Sequence, residues 1–279
     1  MTVLDVLQST TAYFKKREIE SPRLNAEHLL AHTLHCKRIE LYLEFARPLA
    51  ETELAPLREL VRRRGQGEPL QHLLGTVEFL GRVFLCDKRA LIPRPETEEL
   101  VERVIQLVAG CPPATLLDVG TGSGVIALTL AAQFPEAKVQ AVDISGDALN
   151  LARENAARLD LRERVDFSEG SLLTGAEGRF DLVVANLPYV ANAQRSTLSR
   201  EVLHDPATAV FGGDHGDELV RELIDGARDR LFVGGLLALE VGIGQAESLV
   251  SFLKEKNYHD IQAIKDYCGV KRFLFGRYG

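Results

Sequence analysis

The chain has 279 residues, is 46% hydrophobic and carries a formal charge of −7, with 33 Lys and Arg against 40 Asp and Glu. That length holds one full α/β domain and a smaller one, while the acidic balance argues against a protein whose main affinity is for nucleic-acid phosphate. No basic leader runs into an apolar stretch, and no run of about 18 apolar residues occurs, so a soluble, cytoplasmic protein with no membrane role is expected.

Residues 1–74 read as a helical domain. Ser21-Pro22 opens one helix, with Ser21 able to cap and Pro22 suited to the first helical position. Leu24, Leu29, Leu30 and Leu34 supply its apolar face. His28, His32 and His35 are read onto the same helix at metal-like spacing. A zinc helix would carry Glu where Leu29 stands, so these are ordinary packing or surface histidines and no metal is expected. A further helix over 51–64 stops near Gly65 and Gly67, and Arg62, Arg63 and Arg64 read as its solvated end. Cys36, Cys86, Cys111 and Cys268 show no CxxC spacing, which fits reduced thiols.

Residues 75–95 form a hairpin and extended linker: Val77, Phe79, Val83 and Leu85 flank Gly81, and Ala90-Leu91-Ile92-Pro93-Arg94-Pro95 is held extended by its prolines. The third region spans 96–279. Glu96, Thr97, Glu98 and Glu99 open a helix whose acidic first turn suits the helix dipole. Strands at 115–119, 138–142, 165–167 and 180–185 then alternate with helices at 125–133 and 147–159. A helix over 217–230, a strand over 236–241, a helix over 245–255 and strands at 261–264 and 272–275 complete the chain. This alternation implies an α/β fold, a mostly parallel sheet with helices on both faces.

Leu116-Leu117-Asp118-Val119 runs into Gly120-Thr121-Gly122-Ser123-Gly124 and then a helix. The glycines allow a tight turn and close approach of a ligand to the backbone at a positive helix N-terminus. The dinucleotide fingerprint fails because Val125 fills its last position. The next strand ends at Asp143, placed to accept from both ribose hydroxyls of a nucleoside. Together these features resemble the class I methyltransferases. The resemblance implies a Rossmann-like, seven-stranded, mostly parallel sheet whose last strand is antiparallel. It also implies S-adenosyl-L-methionine as cofactor and S-adenosyl-L-homocysteine as product. Gly120, Thr121, Gly122, Ser123, Gly124 and Asp143 would hold the cofactor. Ser171, after the third strand, would pass near the adenine, although the acid usual in the family is absent at Gly170.

Phe180–Ala185 is an apolar strand ending in Asn186-Leu187-Pro188-Tyr189. This loop resembles the N-P-P-Y signature of enzymes that methylate planar nitrogens. Such a nitrogen is a poor nucleophile, and a sulfonium donor leaves alignment as the main task. The Asn186 oxygen and a loop carbonyl can grip the two hydrogens of an NH₂ group, and Tyr189 can pack on the flat substrate. Leu187 departs from the usual proline, and the N-L-P-Y form is typical of the ribosomal-RNA adenine dimethyltransferases.

The choice of substrate rests on Gly67-Glu68-Pro69-Leu70-Gln71-His72, Gly75, Glu78-Phe79, Gly81 and Leu91-Ile92-Pro93-Arg94-Pro95-Glu96-Thr97-Glu98. Glu201 to Gly216, Glu240-Val241-Gly242 and Lys265-Asp266-Tyr267 add to it. Across nearly the whole chain these resemble the release-factor glutamine methyltransferases, the PrmC/HemK family. The resemblance implies methylation of the glutamine N5 in the Gly-Gly-Gln motif of class 1 peptide chain release factors, with a helical N-terminal domain that docks the factor and no direct nucleic-acid partner. Two alternatives stand beside it: an adenine N6-methyltransferase acting on RNA or DNA, and a cofactor-binding protein disabled by Leu187.

Overall fold

Leucines, valines and one phenylalanine at helical spacing gather the first part of the chain around a core of its own. A computed structural model describes all 279 residues, which form two compact units: Met1–Thr76 with Ser199–His204, and Val77–Leu198 with Asp205–Gly279.

In the first unit α1 (Val3–Lys16) opens with a capping box in which Asp5 N–H donates to Thr2 Oγ1 and Thr2 N–H to the Asp5 carboxylate, at 3.2 and 2.9 Å. It is followed by α2 (Pro22–Thr33), α3 (Arg38–Leu41), α4 (Glu51–Gly65) and α5 (Leu70–Leu74). Phe14, Leu29, Leu30, Leu41 and Leu57 fill the space between them. Pro22 takes the first helical position as expected, but Ser21 sits at φ 45° and its side chain makes no capping bond. The helix ends at Thr33, so His35, at φ 52°, lies beyond it and does not share a helix with His28 and His32.

The basic run is not uniformly solvated. Arg62 and Arg63 pair at the surface with Glu59 and Glu68. Arg64 is only 2% exposed and donates to Asn25 Oδ1 at 2.7 Å, to the Glu68 carbonyl at 3.0 Å and to Glu201. Its guanidinium fork satisfies three acceptors from separate stretches of the unit, including the returning segment Ser199–His204.

In the second unit the hairpin of β1 (Thr76–Phe79) and β2 (Arg82–Leu85) turns through Leu80 and Gly81 at φ 44° and 73°. Consecutive positive φ values are what a two-residue hairpin loop demands. After α6 (Pro95–Val108) come β3 (Thr115–Val119), α7 (Val125–Gln133), β4 (Lys138–Asp143), α8 (Gly146–Arg158), β5 (Val165–Glu169) and β6 (Phe180–Asn186). The chain continues through β7 (Val190–Ala191), α9 (Ala207–Val210), β8 (Phe211–Gly213) and α10 (Glu218–Ala227). It closes with β9 (Leu231–Glu240), α11 (Ala246–Glu255), β10 (Tyr258–Lys265) and β11 (Lys271–Tyr278).

The main sheet has seven strands in the order β10-β11-β9-β6-β3-β4-β5, with β11 antiparallel to both neighbours and the β9–β5 run parallel. This is the sheet expected from the alternation. Successive residues of each strand feed opposite cores. Leu116, Leu182, Val184 and Phe273 pack with α6 and α7, whereas Leu117, Val183, Leu239 and Leu274 pack with α10 and α11. The strand expected at 236–241 begins earlier, at Leu231, because β9 passes through Gly234 at φ 80° with a register shift opposite Phe180–Leu182. The parallel strands β3, β4, β6 and β9 all end on one side of the sheet, where ligands of such folds bind.

Replacing Arg64 with Ala leaves the Asn25 oxygen and the Glu68 carbonyl without this donor, while Glu201, its side chain 38% exposed, can turn to water. We expect it to lower unfolding stability by about 1–3 kcal/mol, the scale for stranding a buried acceptor, while Arg62→Ala changes it by less than about 0.5 kcal/mol. Urea unfolding of the two variants measures the difference.

Candidate active site

A cavity of about 310 Å³ opens at the carboxyl ends of the parallel strands. Gly120, Thr121, Gly122 and Ser123 form its floor, with Asp143, Ser171, Asn186, Leu187 and Pro188 around them. The residues predicted for cofactor and substrate are thus brought together, with two exceptions: neither Gly124 nor Tyr189 lines the cavity. Unforeseen walls come from Ala90, Leu91, Pro93 and Thr97 on one side and from Pro206, Thr208, Ala209 and Phe211 on the other.

The glycine loop lies where side chains cannot go. Gly120 has φ 72°, and a Cβ there would sit 2.9 Å from Leu187 Cδ2. Gly120 and Thr121 N–H both donate to the Val142 carbonyl, at 2.8 and 3.0 Å, which ties the loop to β4. Asp143 completes the tie: its Oδ2 accepts from Gly122 N–H at 2.8 Å and its Oδ1 from Ser145 N–H at 2.9 Å. Burial raises the Asp143 carboxyl above its ordinary range, and these backbone donors partly offset that. Gly124 acts one step back, at the N-cap of α7, with its missing Cβ facing Ala152 and Leu128.

Asp118 is wholly buried beneath the loop. Its Oδ2 accepts from Thr121 Oγ1 at 2.7 Å and from Ala127 N–H at 3.1 Å, while its Oδ1 accepts from no group of the protein. Burial pushes its carboxyl up to about 7. At Gly170, where an acid was noted as missing, a Cβ would collide with the Thr174 carbonyl, so the turn itself excludes any side chain there.

The loop after β6 is fixed from several directions. β7 pairs with β8, and a Cβ on Gly212 would strike the Pro188 carbonyl. Gln245 Nε2 donates to the Tyr189 carbonyl at 3.0 Å while its Oε1 accepts from Gly242 N–H at 2.8 Å. Leu187, 5% exposed, packs onto Gly120, and its carbonyl accepts no hydrogen bond from the protein.

Asn186 Nδ2 donates to Thr97 Oγ1 at 2.9 Å, which leaves Oδ1 uncommitted. Thr97 Oγ1 donates to Glu240 Oε2 at 2.8 Å, and the Tyr189 hydroxyl reaches Glu240 Oε1 at 3.4 Å. Tyr189 therefore turns toward Glu240 and not into the cofactor cavity. Burial, with Glu240 next to it, lifts the phenol to about 12, so it stays a donor. Glu240 carries the same sequence signal as Asp143 and Asn186, a polar residue closing an apolar strand. Thr97 lies in the 91–98 block that carries the family resemblance, but as one hydroxyl among glutamates in a first helical turn it has no pattern of its own that marks a site residue.

Two family models match the chain: the PrmC N-terminal domain over residues 5–75 and the methyltransferase small domain over residues 100–212. A protein of Rhodopirellula baltica named release factor glutamine methyltransferase is 40% identical over 282 residues, covering 98% of this chain and 95% of the relative. One of Geobacter sulfurreducens with the same name is 40% identical over 280 residues, covering 100% and 97%. The chain belongs to the release factor glutamine methyltransferase family. Among solved structures, a methyltransferase from Pyrococcus furiosus superposes with a TM-score of 0.52 at 22% identity, over 72% of this chain and 90% of that one. A 16S rRNA methyltransferase of T. thermophilus, in complex with AdoMet and guanosine, gives 0.54 at 19% identity over 73% and 50%. These last two share the fold. As a member of the methyltransferase family the chain is an enzyme, and no helix in it is long and apolar enough to cross a membrane.

Asp143 holds the glycine loop as well as facing the cavity, so its loss acts twice. Asp143→Ala should weaken S-adenosylmethionine binding by about 2–3 kcal/mol, the scale of one or two charge-assisted hydrogen bonds. Asp143→Asn keeps one acceptor and should fall between. Isothermal calorimetry reads both, and unchanged affinity in the alanine variant would remove Asp143 from the cofactor site.

Proposed function

We propose that this methyltransferase transfers a methyl group from S-adenosyl-L-methionine to the N5 of the glutamine in the Gly-Gly-Gln motif of class 1 peptide chain release factors, the carbon–sulfur bond breaking as the carbon–nitrogen bond forms, and leaves S-adenosyl-L-homocysteine and one proton, lost from the methylated nitrogen to solvent. The observation that carries the reading is the paired, uncommitted acceptors at the end of β6, Asn186 Oδ1 and the Leu187 carbonyl, in a chain about 40% identical to release factor glutamine methyltransferases over its full length. The adenine alternative would use the same acceptors, but both the family and the charge of −7 favour a protein substrate.

The cavity suits the cofactor on its own evidence. A Cβ at Gly122 would meet nothing nearer than Ala90 Cβ at 3.8 Å, so its bare backbone is open to a ligand, and Asp143 beside it lines the same cavity at the position read for ribose. When bound, the cofactor supplies a sulfonium-activated methyl group. Asn186 Oδ1 and the Leu187 carbonyl each accept one hydrogen of the glutamine NH₂, and together they fix the plane and direction of the nitrogen. No strong base is needed to hold it in line, because positioning accounts for much of the rate. Pro188 and the buried side chain of Leu187 make this part of the cavity wall apolar.

Docking of the factor is assigned to the helical unit, which matches the PrmC N-terminal domain model and exposes Ile39 and Leu43 at 67% and 83%. Exchanging both for Asp should raise KM for an intact release factor by roughly tenfold, the worth of about 1.4 kcal/mol of contact. KM for a short Gly-Gly-Gln peptide should not change. Equal KM effects on both substrates would place docking elsewhere.

Asn186→Ala should cost on the order of 10²-fold in kcat, the scale for an ungripped nucleophile, with cofactor affinity little altered. A tryptic mass spectrum of the treated factor locates the methyl group. Near-normal methylation by this variant would mean that the acceptor loop lies elsewhere.

A further inference from the structure

We propose that Thr97 and Glu240 are positioning residues that decide which end of the Asn186 carboxamide faces the reacting nitrogen. The inference rests on the reading of Asn186 as the substrate grip. A carboxamide has an acceptor end and a donor end of nearly the same shape, so packing alone does not choose between them. Only the acceptor end can hold an NH₂ group.

The choice is made by a directional chain of hydrogen bonds. Asn186 closes β6 and Glu240 closes β9, and the two are register partners on adjacent parallel strands. Thr97, in the first turn of α6, stands between their side chains, 2.9 Å from Asn186 Nδ2 and 2.8 Å from Glu240 Oε2. The turn is anchored from behind: Asp205 accepts from Ile92 N–H at 3.1 Å and from Arg94 at 2.6 Å. Thr97 and Glu240 are 3% and 1% exposed, so water offers neither an alternative partner.

A carboxylate can only accept, and a hydroxyl has one proton to give. With Glu240 ionised, Thr97 must spend that proton on Oε2. Its lone pairs are then all that Asn186 meets, and they demand Nδ2–H. Oδ1 is left facing the cavity. A protonated Glu240 reverses the logic, since it can donate to Thr97, freeing the threonine proton for Asn186. The amide then turns over and presents NH₂ to the substrate's own NH₂, donor against donor.

The groups facing Glu240 set when this happens. Burial pushes its carboxyl up to about 7, and Glu96 on α6 adds to the rise. The Thr97 bond, Arg272 on β11 and the Tyr189 hydroxyl draw it down. The working, ionised form is therefore complete well above that value and is lost as pH falls through it.

The test uses the full-length enzyme with S-adenosylmethionine and a class 1 release factor. kcat is measured against pH, with cofactor affinity by calorimetry as the control for folding. Thr97→Val should lower kcat by roughly 10- to 100-fold, the scale of a misaligned nucleophile, at unchanged cofactor affinity, and Thr97→Ser should restore it. Glu240→Gln, which can donate or accept at any pH, should lose the acid limb of the wild-type profile and run at an intermediate rate. Asn186→Asp should be as poor as Asn186→Ala, because it has no N–H for Thr97. Wild-type kcat in Thr97→Val, or an unchanged acid limb in Glu240→Gln, would overturn the proposal. So would a joint loss of kcat and cofactor affinity in Thr97→Val that serine does not rescue, since that is a packing role. Full activity in Asn186→Ala would instead remove the grip on which the inference stands.

Discussion

A strand buried on both faces can end in a polar side chain only where hydrogen bonds replace the water it has left. β4, β6 and β9 end in Asp143, Asn186 and Glu240, and the site is organised by how these three are satisfied. Asp143 takes its donors from Gly122 and Ser145, and so fixes the glycine loop to the strand beside it. Asn186 and Glu240 share Thr97, and so fix the Asn186 amide to α6. The bonds that make burial tolerable are the same bonds that orient the side chains lining the cavity.

The loops add a second constraint, close backbone approach. Leu187 packs onto Gly120, so the glycine loop and the loop after β6 cannot move independently. Gly212 backs the Pro188 carbonyl, and Gly216 would bring a Cβ to 2.5 Å from the Tyr189 carbonyl. Gly212 and Gly216 thus serve the loop at 186–189. Asn155 performs a similar task on the other flank, bonding Leu85 N–H through Oδ1 and the Ser123 carbonyl through Nδ2 at 2.6 and 2.9 Å.

The sheet was legible because its strands are apolar runs punctuated by glycine and by polar ends, a signal that local pattern carries well. The same pattern exposed the glycine loop, Asp143 and Asn186. What stayed hidden depends on contacts across the chain. Arg64 looks like one of three solvated arginines until Asn25 and Glu201, 39 and 137 residues away, arrive to pair with it. Thr97 resembles an ordinary first-turn residue until a helix and two strands meet around it. Gly170 reads as a missing acid, when the fold shows a turn too tight for any side chain. His35 falls off its helix because backbone φ at 52°, not side-chain spacing, ends the regular structure.

The electrostatics of the site follow from the same acids. Asp118, Asp143 and Glu240 all have carboxyls raised by burial. The one arginine lining the cavity, Arg89, is already committed to Asp87 and Glu154. Of the three acids only Asp143 lines the cavity, and with Arg89 paired the lining offers a phosphate no uncommitted cation. On the proposed reading, the nitrogen gains positive charge as the new carbon–nitrogen bond forms. Its two N–H groups become stronger donors at that moment, so the bonds to Asn186 Oδ1 and the Leu187 carbonyl strengthen most in the transition state. Acceptors fixed beforehand by Thr97, Glu240 and the braced loop need no reorganisation to meet that charge, and an interaction that tightens on the way to the transition state is the kind that accelerates chemistry and not merely binding.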